Sequence, residues 1–122
     1  MSPITDILTV ALGGALGATC RFLAQAAMPF SSRWGLIAVN LTGCLLIGIV
    51  WRLQPSRALS LLLVTGVLGG FTTFSSFGFD TLTLLREGRL AEALGYVAVS
   101  VLGGLALTAV GWYATGVLTQ KI

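Results

Sequence analysis

Histidine does not occur in this 122-residue chain, which removes imidazole metal ligands and imidazole proton relays and argues against a serine-type catalytic triad. Charge is nearly as scarce. Seven basic and four acidic residues make up 9% of the chain, against about a quarter in soluble domains. The basic residues stand singly or in pairs and never cluster, so the net charge of +3 does not describe a nucleic-acid surface. Cysteine is limited to Cys20 and Cys44, in separate apolar stretches without CxxC spacing. Neither a zinc site nor a disulfide framework is indicated, and the pair is read as small packing residues. No glycine fingerprint occurs in a strand-turn-helix context, and no nucleophile–base pair is present, so an enzyme is the least expected class.

What the chain does have is apolar sequence: 56% hydrophobic residues and a mean hydropathy of +0.96. This is the composition of an integral membrane protein, read as one transmembrane domain over residues 1–122. The start resembles a signal peptide but is not expected to be one: Asp6 stands in place of a basic lead, and the apolar run continues past Arg21. Four spans are predicted, at Ile4–Met28, Gly35–Trp51, Ser56–Leu85 and Leu94–Leu118. Pro29–Trp34 forms a loop, and Pro55 lies near the first helical position of the third span.

The third span carries the anomaly. Gly66, Gly69 and Gly70, the hydroxyls of Thr72, Thr73, Ser75 and Ser76, and Phe71, Phe74 and Phe77 crowd one segment of an otherwise greasy helix. Glycine weakens a helix interior and hydroxyls bond to the backbone in its place, so a break is expected there. Irregular backbone at membrane depth is tolerated only where it is buried or lines a cavity. Phe74 and Phe77, three apart, share a helical face; spacing alone reads them as core packing.

The other spans each contribute one polar feature. In the first, Gly13, Gly17 and Arg21 fall four apart, with Gly14 and Ala18 beside them, a stripe for close helix approach. Arg21 either snorkels to the interface or draws anions into a vestibule. In the second, Asn40 shares a side with Leu36, Gly43, Cys44 and Ile47; it either bonds another helix or lines a pore. Asp80 lies at the polar end of a cavity or near the interface. In the last, Tyr96, Ser100, Gly104, Thr108, Gly111 and Thr115 descend one face, which packs or touches water; Tyr96 and Ser100 are its expected pore contacts.

With four spans, Arg52, Arg57 and Lys121 lie on one side and Arg33, Arg86 and Arg89 on the other. Three against three gives no positive-inside bias, which predicts insertion in both senses and an antiparallel dimer.

Three segments resemble the signatures of the Fluc/CrcB fluoride channel family: Gly13-Gly14-Ala15-Leu16-Gly17-Ala18-Thr19-Cys20-Arg21-Phe22, Gly35-Leu36-Ile37-Ala38-Val39-Asn40-Leu41-Thr42-Gly43 and Gly69-Gly70-Phe71-Thr72-Thr73-Phe74-Ser75-Ser76-Phe77. The resemblance spans the whole chain. It implies an all-α membrane protein of four transmembrane helices with a broken third helix, assembled as a dual-topology homodimer in the bacterial inner membrane. That dimer would have two fluoride pores, exporting fluoride passively, and one central sodium ion. Carried over by position, the sodium (Na+) is held by backbone carbonyls of Gly69 and Thr72 of both copies. Phe74, Phe77, Asn40, Ser76, Tyr96 and Ser100 line the fluoride path, and Arg21 stands in the vestibule. Three positions depart from the family pattern: Leu36 and Ser76 replace threonine, and Asp80 replaces glutamate. The rival reading is a small multidrug-resistance-type proton-coupled exporter, which needs a carboxylate buried in the first span, where this chain has only Asp6.

Overall fold

The computed structural model describes residues 2–28 and 32–120. Its regular elements are all helical: α1 (Pro3–Ala27), α2 (Ser32–Arg52), α3 (Arg57–Leu59), a π-helical stretch (Ser60–Leu68), α4 (Gly69–Phe71), α5 (Phe74–Arg86) and α6 (Leu90–Thr119). Among the described residues four stretches are long and apolar enough to cross a membrane: Pro3–Ala27, Arg33–Arg52, Arg57–Arg86 and Leu90–Thr119. At about 1.5 Å per residue, thirty residues exceed a hydrocarbon core of about 30 Å, so the third and fourth stretches tilt or project into the headgroups.

Local chemistry sets the helix starts. Ser2 caps α1 by accepting the Thr5 N–H, with Pro3 at the first helical position, where a missing N–H costs nothing. Ser56, not Pro55, opens the third stretch: its Oγ accepts the Leu59 N–H at 3.4 Å, and Pro55 lies ahead of the cap. Two further boundaries move outward. α2 starts at Ser32 instead of Gly35, and α6 at Leu90 instead of Leu94. In α6 the first turn is supported from outside the apolar run, because Arg89 pairs with Glu92 across it. The loop expected over Pro29–Trp34 is correspondingly shorter; Pro29, Phe30 and Ser31 lie outside the described residues, as does Lys121. Between α5 and α6, Gly88 takes a left-handed φ of 73°, which permits the reversal.

Small residues decide which helices touch. α1 packs on the π-helical stretch and α4: a Cβ on Gly13 would lie 2.5 Å from the Leu62 carbonyl oxygen, and one on Gly17 would overlap the Val67 carbonyl. α2 packs on α6 in the same way, with a Cβ on Gly111 overlapping the Leu45 carbonyl. The polar-and-small line of α6 is thus largely a packing seam, with Gly104, Gly111 and Thr115 buried. Between α2, α5 and α6 sits a small core of Leu36, Ile37, Leu84, Ala93 and Tyr96, with Leu41 and Phe77 against it. Most remaining large apolar side chains face outward, among them Ile7, Leu12 and Phe22 of α1. A surface so apolar suits lipid and apposed protein, not water.

Ion pairs sit at the two ends of the bundle. Arg57 Nη2 lies 2.7 Å from Asp6 Oδ2 at one end, while at the other Arg33 and Arg89 lie 3.9 and 2.9 Å from Glu87. Hydrogen bonds to Glu92 and Glu87 raise the Arg89 pKa above its already high ordinary value, so this guanidinium stays charged.

Candidate functional site

The π-helical turns deliver the chain to the site. The Gly69 N–H reaches back to the carbonyls of Gly66 and Val64, the second a five-residue step characteristic of wide turns, which often accompany functional sites. After α4 the backbone is extended at Thr72 (φ −87°, ψ 157°) and Thr73 (φ −149°, ψ 118°). Its exposed polar groups are met from α2. Thr73 donates its N–H to Asn40 Oδ1 at 2.9 Å, and Asn40 Nδ2 donates to the Thr73 carbonyl at 3.1 Å. One side-chain amide therefore does for Thr73 what a strand partner would do. Thr73 in turn caps α5, its Oγ1 accepting the Ser76 N–H at 3.3 Å.

Two carbonyls lose their helical donors through these bonds. In a continuous helix Gly69 would receive the Thr73 N–H and Thr72 the Ser76 N–H; here Thr73 turns to Asn40 and Ser76 to the Thr73 hydroxyl. The Thr72 side chain is held by donating to the Leu68 carbonyl at 2.9 Å. Its methyl fills the space left by Gly43, where a Cβ would overlap it.

Beyond the cap, α5 presents its aromatic rings. Phe74 and Phe77 have centroids 5.4 Å apart at 47°, and Phe77 stacks on Tyr96 at 5.5 Å and 23°. Phe74 is 81% exposed, whereas Phe77 is half-buried against the core. The Tyr96 hydroxyl donates to Asp80 Oδ2 at 3.0 Å, tying α6 to α5 one turn past Phe77.

Six of the residues expected from the sequence converge on one groove of about 470 Å³: Asn40, Gly69, Thr72, Phe74, Phe77 and Ser100, joined by Thr73, Gly104 and Thr108. The other three fall elsewhere. Ser76 lines a neighbouring cavity of about 440 Å³ with Gln25, Leu36, Ser75, Phe79 and Asp80. Tyr96 lines a third, of about 400 Å³, with Arg33, Arg89 and Glu92. Arg21 lies on α1 and lines none of these three. In the sequence Thr73 is one hydroxyl of the crowded segment and not an expected site residue, although a threonine ahead of a helix is a capping signal. Gln25 gave no signal.

The groove offers amide and hydroxyl groups, backbone carbonyls, aromatic edges and the Cys44 thiol, with no carboxylate or cationic side chain among its lining residues. Among the described residues no group of three or more His, Cys, Asp or Glu could hold a metal ion. Such a lining presents hydrogen-bonding dipoles and ring edges, not fixed charges, to the groove.

The family model described as CrcB-like protein, Camphor Resistance (CrcB), matches residues 8–112. The chain belongs to the CrcB family. Curated relatives named fluoride-specific ion channel FluC accompany this match. That of Chloroflexus aurantiacus is 44% identical over 117 residues, covering 88% of this chain and 93% of the relative. That of Salinibacter ruber is 44% identical, covering 86% and 85%, and that of Helicobacter acinonychis 42% identical, covering 87% and 91%.

Within this CrcB-family chain the three departures noted above occupy one neighbourhood. Leu36, Ser76 and Asp80 all line the same cavity beside the groove. Leu36 is also one of the most deeply buried side chains, 2% exposed, so it serves core packing.

Proposed function

We propose that the chain is a fluoride channel of the bacterial inner membrane, a multi-pass protein that lets fluoride leave the cell passively. The observation that carries this reading is the groove in which Asn40, Phe74, Phe77 and Ser100 meet, in a chain whose relatives are named as fluoride-specific channels. Aromatic rims are electropositive, so the edges of Phe74 and Phe77 can face a small anion. Fluoride is strongly hydrated, and a narrow path must replace part of its water shell with fixed donors. Asn40 has such a donor to spare. An amide carries two N–H bonds, and one of them is committed to Thr73. Ser100 adds a hydroxyl within the groove, while Ser76 and Tyr96, in the adjoining cavities, extend the polar lining, and Arg21 attracts anions toward one end.

Assembly completes the path. An open groove with Phe74 at its surface suits closure by a second copy, and the three-against-three division of basic residues suits insertion in both senses, hence an antiparallel homodimer. Interruption of the third span at membrane depth serves the same assembly. The Gly69 and Thr72 carbonyls, relieved of their helical donors, fit a monovalent cation, and two copies would hold Na+ between them. Its role is structural, tying the subunits together. The drug–proton exchange alternative has no carboxylate in the middle of α1 to carry it: Asp6, in the first turn, pairs with Arg57.

Fluoride efflux from potassium-loaded liposomes, read with a fluoride electrode after valinomycin and repeated with chloride, tests the proposal. Rapid fluoride release with negligible chloride release is expected. Folded protein in sodium buffer that releases no fluoride would overturn it.

A further inference from the structure

A separate niche lies where α2 and α6 end together. Arg52 is in the last turn of α2, and with Trp112, Tyr113, Gly116, Val117 and Gln120 it lines a cavity of about 260 Å³. The guanidinium has two neighbours on α6. It lies 5.4 Å from the centroid of the Trp112 ring, and it rests on Gly116, where a Cβ would come within 2.9 Å of Nε and 3.0 Å of Nη2. Arg33, Arg57 and Arg89 each pair with a carboxylate, but Arg52 has no such partner among the described residues.

The surroundings indicate what faces it. Helix ends of this kind meet the membrane interface, and Trp51, Trp112 and Tyr113 are 46%, 39% and 71% exposed, the placement of an aromatic belt at headgroup depth. At about 100° per residue, Tyr113, Val117 and Gln120 lie on the side of α6 opposite Ser100, Gly104 and Thr108, so the niche points away from the groove. A guanidinium over an aromatic ring presents a planar fork of donors, and that fork matches a phosphate group in two parallel hydrogen bonds. Gln120 adds an amide donor beside it.

We propose that Arg52, Trp112, Tyr113 and Gln120 form an interfacial site for a phosphate anion, occupied by the headgroup of an anionic phospholipid whose acyl chains run along Tyr113 and Val117. A lysine at position 52 would keep the charge but lose both the stack and the fork.

Trp112 supplies its own reporter. Replacing the two other tryptophans (W34F, W51F) leaves a single emitter, and the protein is reconstituted in phosphatidylcholine bilayers containing a small fraction of brominated phosphatidylglycerol or, in parallel, brominated phosphatidylcholine. Preferential occupancy appears as stronger quenching by the brominated phosphatidylglycerol at equal mole fraction. The preference should fall about tenfold in R52Q, the loss of one charge-assisted contact, and substantially in R52K, with fluoride efflux retained as proof of fold. Equal quenching by the two lipids, or a preference unchanged in R52Q, overturns the proposal. Adding millimolar inorganic phosphate separates the sources: an undiminished preference supports the lipid, and its abolition without change in R52Q refutes the lipid in favour of the free anion.

Discussion

Replacing Asn40 with alanine would remove both bonds that hold the extended backbone at Thr73. The side-chain oxygen accepts the Thr73 N–H at 2.9 Å and the amide nitrogen donates to its carbonyl at 3.1 Å. Alanine deprives a half-buried N–H and C=O of their partners together. Each unsatisfied group costs about 1–3 kcal/mol, which bounds the loss at about 2–6 kcal/mol, smaller where water reaches the groove. Even about 2 kcal/mol shifts the balance between the held and released backbone by about thirtyfold. Asn40→Asp separates the components, since it keeps the acceptor for the N–H while facing the Thr73 carbonyl with a second acceptor. Fluoride efflux at fixed protein density and thermal unfolding in detergent are the two assays. N40A should lose most of its flux and unfold at lower temperature, with N40D impaired in flux as well. Wild-type flux and unchanged unfolding in N40A would refute both the clip and the path.

Other expectations follow from the same geometry. Phe74→Ile and Phe77→Ile should each cut fluoride efflux by about tenfold or more, by removing electropositive ring edges, while the protein still assembles; unchanged efflux would return both rings to packing. The glycines of α1 should divide sharply. A Cβ at Gly14 meets nothing within 4 Å, whereas one at Gly17 overlaps the Val67 carbonyl. Calorimetry should therefore find G14A neutral or stabilised by up to about 1 kcal/mol and G17A destabilised by about 1–3 kcal/mol; equal effects would contradict the seam. Adding three lysines beside Lys121 should bias insertion to one sense and abolish efflux, with rescue by a chain biased oppositely. Efflux from the singly biased chain would contradict the antiparallel dimer.

The spans were legible because apolar runs in water have few alternatives. Scarcity of charge and four hydrophobic stretches were enough to place the chain in a membrane as helices, since each backbone polar group in lipid must be satisfied within its own segment. The glycine spacing in α1 likewise announced a face of close contact. What it could not name was the partner, which is the π-helical stretch around Leu62 to Val67. Register between helices far apart in sequence depends on how their surfaces interlock, and wide turns leave no simple periodic mark.

The candidate site divides along the same line. The unusual crowding of glycine, hydroxyl and phenylalanine between Gly66 and Phe77 marked the segment, and Asn40 stood out as an amide in an apolar span. Their meeting was decided only by tertiary structure. A side chain 33 residues away accepts and donates at Thr73, and in doing so releases the Gly69 carbonyl. Ser76 and Tyr96, adjacent to the groove residues in pattern, were turned into other cavities by the α5 cap and by the hydrogen bond to Asp80. Sequence by itself determined which residues must leave water, because transfer free energy is a property of the side chain. Only the tertiary structure decided which polar groups satisfy one another, because hydrogen bonds depend on distance and direction.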